Sequence, residues 1–422
     1  MRWSLSLNGR WKFSGLSSSV TPFPAPSAGE LAFVRPEFDD KTWEEIPVPL
    51  NWYMVPKYSY SKVLKTGEAV DPVSAGGADA KKTINSYFKG CYRHTFTLPS
   101  PLPAGRLELQ FDGIGYEAEI YVNGAHAGHH QGDFVPSRFD VTDLVKPGRN
   151  LVALRVLSDF RPPDGKFTRT YGAMWDPSCF KGGIWLPVRI VAKPAPRIDR
   201  LLLTPDATGN LRVDYTVVHT GKEPVVVTPG VTVNNARAFA ECAGREFPAV
   251  TLRPGVNRGT LHLSFPAPKL WSPAAPHLYY ATLHFRTGDK VLSAETARFG
   301  FREFKVDGTG FTLNGEPVYL YFESLHSVRF GGYNTPDGNA ISPRTVIEGY
   351  LRKGYNMLRT AHMPVRQEVL DLADELGMMI YDEWSCCFIT GMDEKKFEAN
   401  NLPELERFLL ADYNHPSVVM WS

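Results

Sequence analysis

The sequence predicts two antiparallel β-sandwiches followed by a parallel β/α layer, and three observations carry that reading. Up to about residue 194, short segments alternate apolar and polar side chains. After the stiff link Lys193-Pro194-Ala195-Pro196 the alternation resumes over roughly one hundred residues, the size of an immunoglobulin-like sandwich. From about residue 304 the apolar period changes from two to 3.6 and strands alternate with helices.

In the first region, Leu107-Glu108-Leu109-Gln110-Phe111, Ala118-Glu119-Ile120-Tyr121-Val122 and Val152-Ala153-Leu154-Arg155-Val156 each place every second side chain on one face. Asn123-Gly124 follows one such run, where a two-residue hairpin turn needs positive φ, and a jelly-roll sandwich is the simplest closure. In the second region, Leu211-Arg212-Val213-Asp214-Tyr215-Thr216-Val217 and Leu261-His262-Leu263-Ser264-Phe265 alternate in the same way. In the third, Val318 to Phe322 reads as a buried strand, and Ser342-Pro343 caps a helix with Val346, Ile347, Tyr350 and Leu351 inward, ended by Gly354. Tyr355 to Arg359 is the next strand. A helix opened by Pro364 then turns Val365, Val369, Leu372, Ala373 and Leu376 inward and closes at Gly377. Met378 to Tyr381 is a third strand, Leu402 to Ala411 a helix, and Val418 to Trp421 a fourth strand.

At 422 residues the chain is long enough for two to four domains, and 43% hydrophobic with 22% charged residues is ordinary globular composition. A formal net charge of +1 gives no electrostatic basis for binding nucleic acid or an anionic membrane. Cys91, Cys179, Cys242, Cys386 and Cys387 are odd in number and lack metal-ligand spacing, so they read as free thiols. The first ten residues lack an apolar h-region and no stretch is long enough to span a bilayer, which leaves cytoplasmic and periplasmic locations open. Self-association is likewise open.

Motifs in all three regions, in order, resemble glycoside hydrolase family 2. Leu7-Asn8-Gly9-Arg10-Trp11-Lys12-Phe13, Val48-Pro49-Leu50-Asn51-Trp52, Tyr92-Arg93-His94-Thr95-Phe96 and Gly182-Gly183-Ile184-Trp185-Leu186-Pro187-Val188 are similar to landmarks of the family's sugar-binding domain. Leu270-Trp271-Ser272-Pro273, Pro276-His277-Leu278-Tyr279 and Gly300-Phe301-Arg302-Glu303 resemble its immunoglobulin-like domain. Asp412-Tyr413-Asn414-His415-Pro416-Ser417-Val418-Val419-Met420-Trp421-Ser422 is similar to the segment that leads into the family's Asn-Glu pair. The resemblance implies a jelly-roll domain over 1–194, an immunoglobulin-like domain over 195–302, and over 303–422 the first half of a (β/α)8 barrel. It also implies that the acid/base Glu, and the nucleophilic Glu after it, lie beyond Ser422, so that no catalytic carboxylate is expected within the chain.

The C-terminal ends of barrel strands are where chemistry sits. His326, Arg359 with His362, Asp382-Glu383-Trp384 and Trp421 fall there. By the resemblance of Gly354-Tyr355-Asn356-Met357-Leu358-Arg359-Thr360-Ala361-His362-Met363-Pro364 to the family's motif, Arg359 and His362 hold nucleophile and substrate, with Ala361 in place of the usual Ser. Asp382 and Glu383 match the family's strand-three pair, Asn414 begins the acid/base motif, and Asp176 is the loop residue that the first domain lends to the sugar site. Two departures stand out. Tyr321-Phe322-Glu323-Ser324-Leu325 precedes His326 where the family has Arg-Gly-Val-Asn, and Cys386-Cys387-Phe388-Ile389 occupies the region where metal-dependent β-galactosidases carry Glu and His. Soft thiols do not replace hard oxygen ligands, so no magnesium is expected there and no cofactor is implied.

Simpler roles compete at several positions. His94, His129 and His130 read as surface or satisfied core histidines, Asp382-Glu383 as a structural partner of Arg359 or a direct sugar contact, and Trp384 and Trp421 as packing or a sugar platform. The expected function is part of a retaining exo-β-glycosidase acting on a carbohydrate substrate, β-galactosidase-like, with β-glucuronidase or β-mannosidase as alternatives. A non-catalytic carbohydrate-binding or scaffold protein is the reading from a different class.

Overall fold

The computed structural model describes residues 3–17, 31–51, 87–157, 182–326, 342–361, 364–384 and 394–422. The chain forms two compact units.

The first unit is an antiparallel sandwich running to Lys193, joined by the last helix as far as Phe408. One sheet has the order Ser4–Ser6, Val188–Lys193, Arg106–Phe111, Ser137–Asp140. The other has the order Glu44–Val48, Gly9–Ser17, Tyr87–Leu98, Gly148–Leu157, Glu117–Val122, Ala125–Gln131. Leu107, Leu109 and Phe111 from one sheet meet Val152, Leu154 and Val156 from the other in one buried core with Trp11, Phe13 and Tyr92. The Asn123-Gly124 turn joins the last two strands, with φ of 50° and 88° as a type I′ turn requires. His130 is buried as a satisfied core histidine. One ring nitrogen contacts the Ser137 hydroxyl and the other the carbonyls of Ile114 and Gly132, and burial depresses its pKa to about 4. His129 lies beside Glu119 on the surface, and the His94 ring stacks on Trp11 at 4.7 Å.

The second unit holds the other sandwich and the parallel sheet. A three-stranded sheet (Arg197–Pro205, Asn210–His219, Gly255–Ser264) faces one built from Glu241–Glu246, Val225–Asn235, Tyr279–Thr287 and Lys290–Phe299, with Val250–Leu252 on its edge. Val213, Tyr215 and Val217 fill the space between them together with Leu283, Phe285, Phe299 and Phe301. The parallel sheet runs Phe322–His326, Met357–Ala361, Met379–Asp382, Val418–Trp421 in sequence order, as right-handed β/α crossovers produce.

The first barrel strand lies four residues later than the apolar run suggested. Glu316–Val318 instead pairs antiparallel with Gly310–Leu313, and Tyr319, Tyr321 and Phe322 are exposed. An apolar run alone does not reveal which part of it a hairpin claims. The two shorter helices span Pro343–Arg352 and Gln367–Leu376. Ile347 from the first and Val369, Leu370 and Ala373 from the second pack on Leu325, Leu358 and Ile380, the helix-facing residues of the strands. Gly377 ends the second helix at φ 78°, where an added Cβ would lie 2.4 Å from the Pro273 carbonyl oxygen. The last helix starts at Glu394, earlier than expected, and runs to Asp412 through Pro403. Within the first unit Tyr116 donates its hydroxyl to buried Glu404 at 2.6 Å, and Arg407 donates to the Gln131 carbonyl at 2.8 Å. These contacts hold the turn of the helix that follows the proline, so a tertiary partner outweighs the lost backbone bond.

Trp271 decides which end of the parallel sheet is closed. It is fully buried among Leu278, Leu313, Met357 and Met379, the last two being the first residues of their strands. The N-terminal ends of the strands are therefore covered by the sandwich of their own unit.

Candidate active site

Strand alternation sorts the side chains of the parallel sheet into two sets. Leu358, Thr360, Ile380 and Asp382 face the helices, whereas Arg359 and Tyr381 face the opposite side and are register partners across neighbouring strands. On that opposite side Arg359 donates from Nη2 to Glu383 Oε1 at 2.9 Å and from Nη1 to Ser324 Oγ at 3.1 Å. Its guanidinium carbon lies 6.0 Å from the Tyr381 ring centroid. Three adjacent strands thus converge on one cation near their C-terminal ends. Arg359 keeps 28% of its side-chain surface accessible against 8% for Glu383, so the cation is the solvent-facing member of the pair.

Asp382 does not join this group. It is fully buried on the helix side, where its Oδ1 accepts from the Thr360 hydroxyl at 3.0 Å, while Thr360 Oγ1 accepts the Glu383 backbone N–H at 2.8 Å. Thr360 thus bridges Asp382 to the Glu383 backbone, and strand alternation turns the Asp382 carboxyl away from the Arg359 side, which corrects its expected place beside Glu383 on the sugar side. Burial raises the Asp382 pKa to about 6 against the opposing effects of Asp412, Thr360 and His415. Burial and the facing Asp382 charge push Asp412 well above the usual carboxylate range, and Gln367 donates to it. Two carboxyls in one buried site cannot both ionise readily, so the pair retains a proton near neutrality.

Asn414 is also reassigned. Its Nδ2 donates to the Leu201 carbonyl at 2.9 Å and its Oδ1 accepts the Leu203 N–H at 2.8 Å, which staples the start of the fourth strand to the sandwich. It precedes that strand and so stands at the end away from Arg359, because the strands are parallel and Arg359 lies toward their C-terminal ends. The neighbouring motif residues extend the same staple. Buried Asp374 accepts from Ser417 Oγ at 2.6 Å and Ser417 N–H at 3.1 Å, contacts His415 Nδ1 at 2.7 Å, and accepts from Arg298 at 3.1 Å. Trp271 Nε1 donates to the Asp374 carbonyl at 2.9 Å, and Arg302 donates to the carbonyls of Pro416 and Val418. Burial disfavours a charged His415, yet Asp374 and Asp371 outweigh it and raise the pKa. Ligand atoms of Asp371, Asp374 and His415 lie within 4.8 Å of one another, but Arg298 already supplies the cation there.

Trp421 ends the fourth strand opposite Asp382 and is 40% exposed, whereas Trp384 is buried. His326 closes the first strand beside Ala361. The His326 side chain and residues Asp176, His362, Cys386 and Cys387 lie outside the described residues. Ser324, Tyr381 and Thr360 were missed as site residues by sequence reasoning. Their signal was positional only, since Thr360 and Tyr381 adjoin Arg359 and Asp382 in the chain and Ser324 is the register partner of Arg359.

Comparison with known proteins fits this architecture. Residues 5–194 match the model for the sugar binding domain of glycosyl hydrolases family 2, 197–302 match the model for glycosyl hydrolases family 2, and 304–422 match that family's TIM barrel domain. The chain belongs to glycoside hydrolase family 2. A family 2 relative, a beta-galactosidase of Vibrio cholerae serotype O1, is 28% identical over 437 residues, covering 99% of this chain and 40% of its own length. A putative beta-glucuronidase of Formosa agariphila is 27% identical over 403 residues, covering 92% of this chain and 35% of its own length. Among solved structures, a family 2 member from Bacteroides cellulosilyticus has a TM-score of 0.73 at 24% identity, covering 99% of this chain and 52% of that one. Bacteroides uniformis beta-glucuronidase 2, covalently bound to cyclophellitol-6-carboxylate aziridine, has a TM-score of 0.76 at 21% identity, covering 100% of this chain and 47% of that one. At these identities the structural matches establish the fold, two sandwiches and a TIM-barrel portion. The chain spans about two fifths of the length of the curated beta-galactosidases it matches.

Proposed function

We propose that this chain supplies the orienting half of the sugar site of a retaining exo-β-glycosidase, with β-galactosides as the first substrate class and β-glucuronides as the alternative. The observation that carries the reading is the convergence of Arg359, Glu383 and Ser324 near the C-terminal ends of adjacent parallel strands. A fixed guanidinium there orients a carboxylate and sugar hydroxyls, and a preorganised charge is the largest single source of transition-state stabilisation. Trp421, in register with Asp382, falls on the helix side by the same alternation and is not assigned to the sugar site. The curated beta-galactosidase relatives favour the galactoside, and the putative beta-glucuronidase supports the alternative.

Retaining hydrolysis needs two carboxyl groups about 5 to 5.5 Å apart across the scissile bond, one to protonate the leaving oxygen and one to attack the anomeric carbon. Glu383 is engaged by Arg359 and Asp382 faces the helices, so these neighbours do not form an opposed pair. We assign the acid/base and the nucleophile to residues outside 1–422, and Arg359 and Glu383 to positioning. The test compares residues 1–422 with a protein extended by the codons that follow Ser422, using aryl β-galactosides and β-glucuronides with product stereochemistry followed by NMR. The extended protein is expected to turn over one of them with retention and the shorter chain neither. Turnover by residues 1–422 that Glu383→Gln abolishes, or an extended protein that binds sugar without hydrolysing it, would overturn the assignment.

A further inference from the structure

The outer face of the three-stranded sheet in the second sandwich carries a row of side chains that the proposed activity does not use. Arg200 pairs in register with Thr216 and Thr216 with Arg258, so the three form one line across the strands. The next row on the same face is Leu202, Asp214 and Thr260. An open, shallow depression of about 420 Å³ lies over these two rows.

The charges in it are uneven. Asp214 accepts from Thr260 Oγ1 at 2.6 Å and pairs with Arg212 at 2.8 Å, and Asp199 pairs with Arg197 at 2.9 Å. Both nearby carboxylates are thus matched by other cations. Arg200 and Arg258 have no carboxylate partner among the described residues, and both are exposed. Adjacent strands lie about 4.8 Å apart, so the two Cα atoms are about 10 Å apart and both guanidiniums can reach an anion seated above Thr216. On a chain of formal net charge +1, two unmatched guanidiniums on one row are a local excess of positive charge.

We infer that the Arg200–Thr216–Arg258 row is a second carbohydrate site, one that takes a saccharide bearing a carboxylate or sulfate group. Guanidinium forks match the planar or tetrahedral oxygens of such groups. The hydroxyls of Thr216 and Thr260 meet sugar hydroxyls, and Leu202 offers an apolar floor for the ring. The choice of a saccharide rests on the proposed glycosidase function, while the anion site does not. Its place would be to hold an acidic polymer while a terminal sugar is processed elsewhere on the protein.

The test is calorimetric titration of residues 1–422 with trigalacturonic acid, a sulfated galactobiose, neutral galactotriose and inorganic sulfate. One of the two acidic saccharides is expected to bind, more weakly as salt rises, and galactotriose is not. The double variant Arg200→Gln/Arg258→Gln should lose at least tenfold in affinity with an unchanged melting temperature. Thr216→Asp, which puts a carboxylate between the guanidiniums, should do the same and serves as a second variant should the first unfold. Failure of both acidic saccharides to bind, undiminished binding by both variants, or inorganic sulfate binding as tightly as the sugars would each overturn the inference. Turnover of a neutral aryl β-galactoside by the extended protein, measured alongside, tests the glycosidase reading separately.

Discussion

The two ends of the parallel sheet each carry a buried carboxylate and an arginine, and they use them differently. At the N-terminal end, Asp374 is surrounded by Ser417, His415 and Arg298, all three on its carboxylate, and the group is sealed by Trp271. At the C-terminal end, Arg359 holds Glu383 and Ser324 but remains more than a quarter exposed on one side of the sheet. A saturated network contributes stability and specifies how sandwich and strands dock. A network with an accessible cation is able to bind something else. In this unit the covering sandwich decides which end is which.

The comparison is broken most forcefully at Asp374. Removing it leaves the Ser417 hydroxyl and N–H and the His415 ring without their buried acceptor, while Arg298 keeps Asp371 and Glu375, and each buried group so stranded costs about 1–3 kcal/mol. Asp374→Ala is therefore expected to lower the denaturant midpoint of residues 1–422 steeply, whereas Arg359→Ala, at a pair whose cation is 28% accessible so that water can take its place beside Glu383, is expected to cost less, about 1–2 kcal/mol. Equal losses in the two variants would erase the distinction between the ends.

A smaller effect is expected at Gly377. Its left-handed conformation disfavours any side chain by about 1 kcal/mol, and the contact with the Pro273 carbonyl adds to that. Gly377→Ala should cost about 2 kcal/mol in the same unfolding assay, and a neutral outcome would show that the sandwich and helix are not in firm contact there.

The smallest effect is on pH dependence. A carboxyl whose folded pKa is raised, as for Asp382 at about 6, gives stability that is full below about pH 4 and lost as pH rises through 6. His415, raised above 6.5, has the same sign, its contribution disappearing above its folded pKa. These two contributions fall as pH rises above about 4, while His130, depressed to about 4, adds stability between about pH 4 and 6.5, so the decline is read as a difference between variants. Asp412→Asn should flatten the part of the decline near pH 6 and leave the part due to His415. An unchanged profile in that variant would mean that Asp382 and Asp412 do not share a proton.

The order of domains and the strand–helix alternation were legible in the sequence because they depend on local periodicity and on turn residues such as Asn123-Gly124 and Gly377. The boundaries of the first barrel strand were not, because the apolar run from Val318 to Phe322 suits a hairpin as well as a strand. Among site residues, Arg359 and Glu383 were legible as a pair. The separation of Asp382 from Glu383 depends on which face a strand buries, and Asn414 on a partner more than two hundred residues away, neither of which local pattern encodes. Asn414 was read as supporting the sugar site by its position in the family signature, whereas the side chains of Asn414, His415 and Ser417 all bond across to the sandwich or to Asp374.

The central claim is that the Arg359 end serves substrate and the Asp374 end serves the fold. It is tested most directly by measuring kcat/KM and the unfolding midpoint together for Arg359→Ala in the protein extended past Ser422. The expected result is a fall in kcat/KM of about two orders of magnitude, about 2.7 kcal/mol, with a loss of midpoint smaller than that of Asp374→Ala. Near-wild-type turnover in a folded variant would contradict the account.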